Sequence, residues 1–349
     1  MNPRDSLRFE VDTLARDEWD MASRTFENFN LYQAWDYAAH HSPHSRTRDV
    51  VRCVTFLEDR PVVMGQLRIK KIPFLRIGVA EMEWGPLWRM EAGKAGLEEL
   101  AQFFKETKKE LCAKRKWEVR LYPHSTHPHG LDQTVQEMLL EQSFQQVIDE
   151  THNYDTVMID LSKNLETLRS ELHQKWRNLL KKAEKSDLVV ESGRDVDHFD
   201  RFLRLYEKMR ETKDFPTGVR VPVIREMQAV LPESERFLVS VAVEDGRDVG
   251  ATVCAMTGTR MLYFLGATDP EYRGSAPGYL LQWQNMQIGK QSGIRWYDLG
   301  GLVSEGVSRF KVRMGGEQVS FPRRFVAKPG AWRSSLFEFA EKTIQRVRS

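Results

Sequence analysis

Long apolar runs are missing from this sequence. No window approaches the roughly 18 uninterrupted apolar residues that a membrane span needs, and Met1 to Glu10 is charged, without the apolar core of a secretory leader. A cytoplasmic protein is the expectation. Cysteine is scarce: Cys53, Cys112 and Cys254 are far apart, match no metal-ligand spacing and, being odd in number, cannot all pair. Charge of one sign is also lacking, since 52 Lys and Arg face 50 Asp and Glu, so any anion must be bound locally rather than drawn in by the whole molecule. No serine sits in a Gly-x-Ser-x-Gly elbow and no cysteine lies in a catalytic context, which leaves covalent hydrolase chemistry without a nucleophile. His124, His127 and His129 stand among Pro and Gly with no Cys or acidic cluster nearby. They read as a surface loop, and no metal site is expected.

What remains is an ordinary globular composition, with 41% hydrophobic and 29% charged residues over 349 positions. That length exceeds what one core usually supports and predicts two domains of about 150 to 180 residues. In the first half, Asn30 to Ala39 reads as a short helix. Strand-like runs at Val50 to Glu58, Val62 to Ile72 and Arg76 to Glu83 follow and are expected to pair antiparallel. A helix from Gly96 to Lys114, a strand at Glu118 to Tyr122, a helix near Thr134 to Glu141 and a strand at Thr156 to Leu161 complete it.

The second half repeats this order about 180 residues later, with strands at Phe237 to Glu244, Val249 to Met256, Met261 to Ala267 and Arg295 to Leu299. Helices at Phe199 to Met209 and Val223 to Leu231 precede those strands, and Trp332 to Val347 closes the chain as an amphipathic helix. Between the halves, Leu165 to Lys185 reads as one long helix with an apolar stripe and basic other faces. The repeat is of element order, not of residues, and implies two copies of one α/β unit, residues 1–160 and 161–349.

The candidate chemistry lies between Tyr263 and Gly316. The loop Asp269 to Pro277 carries Arg273 and leads into a helix whose free N–H groups and dipole favour an anion. Tyr297-Asp298-Leu299-Gly300-Gly301 is a strand ending in two glycines, a place where backbone approaches something closely. Arg309-Phe310-Lys311 follows. A lysine held at an acyl centre stabilises the oxyanion of a tetrahedral intermediate, whereas a lysine beside a core Phe is also what a surface position looks like. Tyr263, Arg273, Asp298, Gly300 and Gly301 are the candidate substrate contacts of this cleft.

The strand at Thr156 to Ser162, the basic helix ending Arg177-Asn178-Leu179-Leu180-Lys181-Lys182-Ala183, Tyr297 to Gly301, and Phe310-Lys311 before Gly315-Gly316 together resemble the FemABX family of peptidyltransferases in its short form. Gly85-Pro86 and Gln33-Ala34-Trp35 look like that family's first domain, and the resemblance runs from about Asn30 to Phe325. It implies an α/β protein of two tandem Gcn5-related (acyl-CoA N-acyltransferase-like) folds, with mixed, mainly antiparallel sheets flanked by helices. It implies transfer of an amino acid from aminoacyl-tRNA to an amine of a peptidoglycan precursor stem peptide, nucleotide- or lipid-linked, with no cofactor and with peripheral contact at the inner membrane face.

Carried over by position, Lys311 and Phe310 are catalytic and Trp35 lies at the precursor-binding surface. Tyr37 stands where the short-form pattern has a lysine, and Arg210 and Lys213 flank the place of a phosphate-gripping arginine. Lys175, Arg177, Lys181, Lys182 and Lys185 are the implied tRNA contacts. Two other readings stay open: an acetyl-CoA-dependent N-acyltransferase of cell-envelope or exopolysaccharide metabolism, and a precursor-binding module without catalysis.

Overall fold

A computed structural model describes residues 7–40, 48–72, 77–90, 93–94, 96–123, 133–147, 154–212, 219–274, 276–321 and 324–330. The expected closing helix at Trp332 to Val347, the three loop histidines and Lys213 lie outside these residues. The chain divides into two compact units, one formed by residues 1–154 and 321–349, the other by 155–320.

The first unit is built on the strands β1 (Leu7–Val11), β2 (Arg48–Leu57), β3 (Arg60–Lys71), β4 (Gly78–Glu83), β7 (Glu118–Tyr122), β8 (Gln145–Gln146) and β16 (Phe325–Ala327), with β5 (Arg89–Met90) and β6 (Gly93–Lys94) as a separate ribbon. Among the described residues the sheet order is β1-β2-β3-β4-β7-β16-β8. The pairs β2 with β3 and β3 with β4 are antiparallel, as the spacing of their turns predicts, and β4 runs parallel to β7.

Strand alternation sends Leu67, Ile69, Ala80, Met82, Val119 and Leu121 to one face. There they meet Leu100, Phe103 and Phe104 of α3 (Leu97–Thr107) and Leu139 of α4 (Gln133–Glu141) in one core. Two shorter helices, α1 (Arg16–Ser23) and α2 (Trp35–His40), precede β2.

The second unit has β9 (Tyr154–Asp160), β10 (Val189–Gly193), β11 (Leu238–Glu244), β12 (Arg247–Thr257), β13 (Arg260–Thr268), β14 (Trp296–Asp298) and β15 (Glu317–Phe321), in the order β10-β11-β12-β13-β14-β9-β15. Central strand β12 reads Val249 to Met256 as a near-continuous buried run because both of its faces are covered. Its covering helices include α7 (Val196–Thr212) and α9 (Pro277–Gln291), with α8 (Val221–Val230) packed on α7, and α10 (Glu305–Val312) follows β14. Again a parallel pair, β13 with β14, stands between antiparallel ones, β12 with β13 and β14 with β9. In each sheet the sixth position is filled from a distance: β16 follows every other strand of the first sheet in sequence, and β9 precedes every other strand of the second.

The single helix expected at Leu165 to Lys185 is two, α5 (Leu165–Glu171) and α6 (Gln174–Ala183), with Leu172 and His173 extended between them. Hydrophobic period alone could not see the break, because the stripe continues through it. The break is fixed by local bonds: His173 Nδ1 accepts from Lys175 N at 3.2 Å, and the Arg177 guanidinium donates to the carbonyls of Ser170 and Leu172 at 2.6 and 2.7 Å.

At the start of β15, Gly315 and Gly316 have φ of +79° and +84°, and a Cβ on Gly316 would lie 2.5 Å from the Met158 carbonyl oxygen of β9. Strain and clash act together there, so Gly316→Ala is expected to lower stability by about 2–4 kcal/mol in urea unfolding. An unchanged midpoint would show that β15 does not depend on this approach.

Candidate active site

The parallel ladder between β13 and β14 lasts only from Arg260 with Trp296 to Leu262 with Asp298. Beyond it the chain turns to its other neighbour, and Leu299 N donates to the Val157 carbonyl of β9 at 3.0 Å. Strand β13 continues alone on that side. Opposite the same place the pairing of β12 with β13 shifts, Cys254 facing Tyr263 and Val253 facing Leu265, so that Phe264 is the extra residue of a bulge. Tyr263, Phe264, Leu265 and Gly266 are half-buried, although they lie inside a sheet whose other central residues are covered. The two strands thus form a fork that opens after Leu262.

Helix α10 reaches into this fork with one side chain. Lys311 is its one buried residue, at 6% exposure, while Val303 just before it is 81% exposed and Val307 and Val312 face outward in part. The polarity of the helix is therefore reversed, with a cation inside and aliphatics outside. The Lys311 ammonium donates to the Gly301 carbonyl at 2.9 Å and lies 5.3 Å from the centre of the Tyr263 ring. Burial pulls its pKa down from the ordinary 10.5 to about 8, against the opposing pull of the Asp298 carboxylate.

The glycine turn is shaped to receive this group. Gly300 has φ of +72°, and a Cβ on it would lie 2.6 Å from the Tyr263 carbonyl oxygen and 3.5 Å from Lys311 Nζ. Asp298, fully buried, holds the turn from behind: its Oδ1 accepts from Thr156 Oγ1 at 2.6 Å and from Gly300 N at 2.9 Å, and its Oδ2 faces Arg260 at 3.8 Å. Phe310 packs edge-on against Tyr279 at 5.2 Å between ring centres and against Trp176 at 5.9 Å, which ties α10 to the first turn of α9 and to α6.

The structure thus brings Lys311, Gly300, Gly301, Asp298 and Tyr263 together and joins Phe310 to the start of α9 through Tyr279. Arg273 is exposed at the surface of its loop, with its guanidinium donating to the carbonyls of Pro270 and Tyr272. Trp35 and Tyr37 belong to the first unit. The Arg52 guanidinium lies over the Trp35 ring at 3.2 Å, while Tyr37 is buried edge-on against Tyr32, where loss of water raises its pKa well above the usual value. Arg210 is exposed in the last turn of α7, and Lys175, Lys181, Lys182 and Lys185 are exposed on or just after α6. Arg177 is engaged in the break between α5 and α6.

A cavity of about 470 Å³ opens elsewhere on the second unit, against Met158, Asp160, Trp296 and Glu317, and no expected site residue lines it. Among the described residues no group of His, Cys, Asp and Glu is arranged to hold a metal ion, and no helix is long and apolar enough to cross a membrane.

Residues that the sequence reading passed over are Thr156, Arg260, Gln282 and Asn285, all buried around the fork or against its sheet. A signal for the last two was available: they are amides three positions apart, hence on one face, with the apolar Leu281, Trp283 and Met286 beside them.

A buried ammonium loads the native state. Its folded pKa lies below the unfolded value, so the penalty is fully present below pH 8 and fades as pH rises from 8 to 10.5. Lys311→Met is therefore expected to be more stable than the parent by about 1–3 kcal/mol at pH 7, with the gap closing toward pH 10.5. Denaturant titrations at several pH values test this, and a variant less stable at every pH would contradict it.

Residues 168–312 match the acetyltransferase (GNAT) domain family. No curated protein matches the sequence. Among solved structures, a crystal structure of FemX is similar with a TM-score of 0.78 at 15% identity, over 95% of this chain and 99% of that one. A tandem GNAT protein from the clavulanic acid biosynthesis pathway is similar at 0.52 and 14% identity, over 93% and 99%. The C-terminal domain of a putative lysylphosphatidylglycerol synthetase from Agrobacterium fabrum reaches 0.52 at 13% identity, over 80% and 85%. With two seven-stranded sheets of matching order among the described residues and the acetyltransferase (GNAT) match in the second half, the chain has a tandem GNAT fold similar to that of FemX.

Proposed function

We propose that this protein transfers an aminoacyl group from aminoacyl-tRNA to an amine of a peptidoglycan precursor stem peptide, with the fork of β13 and β14 as the place of transfer. The observation that carries the reading is the inverted helix α10, which buries a lysine at the mouth of an opened parallel pair and holds it against the Gly301 carbonyl. A folded chain keeps such an arrangement against its own stability when the cation has work to do. The likeness of fold to FemX supports the acceptor class.

The chemistry asks little of the protein. The ester of an aminoacyl-tRNA is already activated, so aligning amine and carbonyl and stabilising the developing oxyanion suffice, and no protein nucleophile is required. The amine adds to the ester carbonyl, negative charge collects on the carbonyl oxygen, and the Lys311 ammonium faces that charge. Collapse of the intermediate expels the ribose oxygen, and the proton lost by the amine balances the one the leaving oxygen gains. Exposed Lys175, Lys181, Lys182 and Lys185 supply a surface for the tRNA backbone.

A second reading has its own support in the acetyltransferase domain match at residues 168–312: a thioester of coenzyme A as the acyl donor at the same fork. Incubating the protein with charged tRNA, or with acetyl-CoA, in the presence of candidate precursors and weighing the acceptor decides between the two. An aminoacyl mass increment supports the first reading, an acetyl increment supports the second, and neither increment with any donor removes both.

With the productive donor, Lys311→Ala should lower kcat about a hundredfold while KM stays within about threefold. Turnover of the parent should fall as pH rises through about 8, where Lys311 loses its charge. If tRNA is the donor, replacing Lys181, Lys182 and Lys185 by Glu should weaken its binding and flatten the salt dependence by about 0.7–0.9 in logarithmic slope per lost phosphate contact. An unchanged slope would remove α6 from the tRNA surface.

A further inference from the structure

The half-buried Tyr263 ring lies where the side chain of another residue would have to be. A Cβ on Gly266, three positions further along β13, would collide with the Tyr263 hydroxyl oxygen and stand 3.0 Å from the ring carbon that carries it. The phenol is therefore laid along its own strand, with its tip over the glycine. An unbroken strand would not allow this, because residues three apart point to opposite faces. The bulge at Phe264 removes the difference: Tyr263 stands opposite Cys254 and Gly266 opposite Thr252, two positions apart on β12 and hence on one face. That face is the one toward α9, since the Asn285 amide reaches Thr252 Oγ1 at 3.0 Å and Cys254 Sγ at 3.5 Å.

The glycine answers to the ring, not to the backbone. Gly266 does not have a positive φ, so an alanine could adopt its conformation. A glycine inside a strand loosens it, and here the cost is explained by the atom that is left out. The space so made seats the ring beside Lys311, with the ring centre 5.3 Å from the ammonium. Nζ is thus bounded by the Gly301 carbonyl, by Gly300, whose missing Cβ would lie 3.5 Å away, and by the Tyr263 ring. An oxygen that accepts from this ammonium sits about 2.8 Å from it, so the carbon chain behind that oxygen has the ring for a wall. The ring cannot retreat, because the space over Gly266 is the space it already fills.

We propose that Tyr263, seated over Gly266, limits the size of the acyl group: the fork takes an aminoacyl group whose side chain is a hydrogen, a methyl or a hydroxymethyl, and excludes branched and aromatic ones. This deepens the acyl-transfer reading and rests on it. With a thioester of coenzyme A as donor, the same wall admits acetyl and excludes longer chains. The role is steric, and the hydroxyl has no part in it.

One tRNA body charged in turn with glycine, alanine, leucine and phenylalanine, each offered with the acceptor that shows the mass increment above, measures the preference. If acetyl-CoA is the productive donor, acetyl-, butyryl- and hexanoyl-CoA take their place. The parent is expected to favour the alanyl over the leucyl donor, or acetyl over hexanoyl, about a hundredfold or more in kcat/KM. Tyr263→Ala should cut that ratio about tenfold or more, and so should Tyr263→Leu, which keeps more of the packing. Tyr263→Phe retains the ring and should keep the ratio within about twofold of the parent's. Gly266→Ala should shift the ratio in the parent but by less than about twofold in Tyr263→Ala, because the nearest atoms that its Cβ would meet all belong to Tyr263.

A parent that uses large and small acyl groups alike would overturn the proposal while leaving the transfer reading in place. An unchanged ratio in folded Tyr263→Ala and Tyr263→Leu would do the same, as would an effect of Gly266→Ala that persists without the ring. If the parent accepts no donor of any size, the transfer reading and this proposal fall together.

Discussion

The second unit is organised around a cation that water has been made to leave. Lys311 is placed in the gap between two strands that start as partners and then part, and its one direct acceptor among the described residues is the carbonyl of Gly301. Several other features follow from accommodating it. Position 300 must lack a Cβ, because that atom would strike the Tyr263 carbonyl oxygen and crowd the ammonium. Asp298 must be held by Thr156 and the Gly300 N–H, because a buried carboxylate near a buried ammonium is tolerable only when its remaining lone pairs are occupied. Helix α10 must give up its apolar inward face, and Phe310 supplies the packing in its place through Tyr279 and Trp176.

The two sheets share strand order, yet only one of them opens. In the first, β4 and β7 stay paired from Val79 with Glu118 to Glu83 with Tyr122, and Trp84 N continues the contact to the Tyr122 carbonyl at 2.9 Å. In the second, the equivalent ladder ends after three residues and a bulge at Phe264 bends the strand beside it. An opened ladder leaves backbone groups on both edges without their usual partners, which is a stable condition only where something else meets them. A duplicated architecture has been kept closed in one copy and forked in the other.

How much of this was legible in the sequence depended on whether one physical signal dominated locally. Strands β2, β3, β11, β12 and β13 announced themselves because alternation or a continuous apolar run coincided with Gly-containing or charged turns, and Glu118 to Tyr122 was read to the residue. That Gly300, Gly301 and Lys311 lie together in the second unit was legible in outline through the glycines and the Phe310-Lys311 pair. Helix α10 was not, because a helix with valines outside and a lysine inside carries the opposite of the pattern by which helices are found. The break at Leu172 and His173 was hidden by an apolar stripe that runs through it, and was set by a histidine cap and an arginine reaching back to two carbonyls. Edge strands such as β10, with Val189, Glu191 and Ser192 exposed, have too little buried surface to leave a periodic trace.

The placing of β9 and β16 has a bearing on how the molecule is made. The first sheet needs residues 325–327 to separate its strands β7 and β8, and those residues leave the ribosome only after the whole of the second sheet. A nascent chain that has just exposed Gln146 therefore carries a sheet with a missing inner strand, and must keep that slot unoccupied or loosely filled for some 180 further residues of synthesis, which at typical elongation rates is about 10–40 seconds. Folding of the amino-terminal half is thus timed by the carboxy-terminal end of the message.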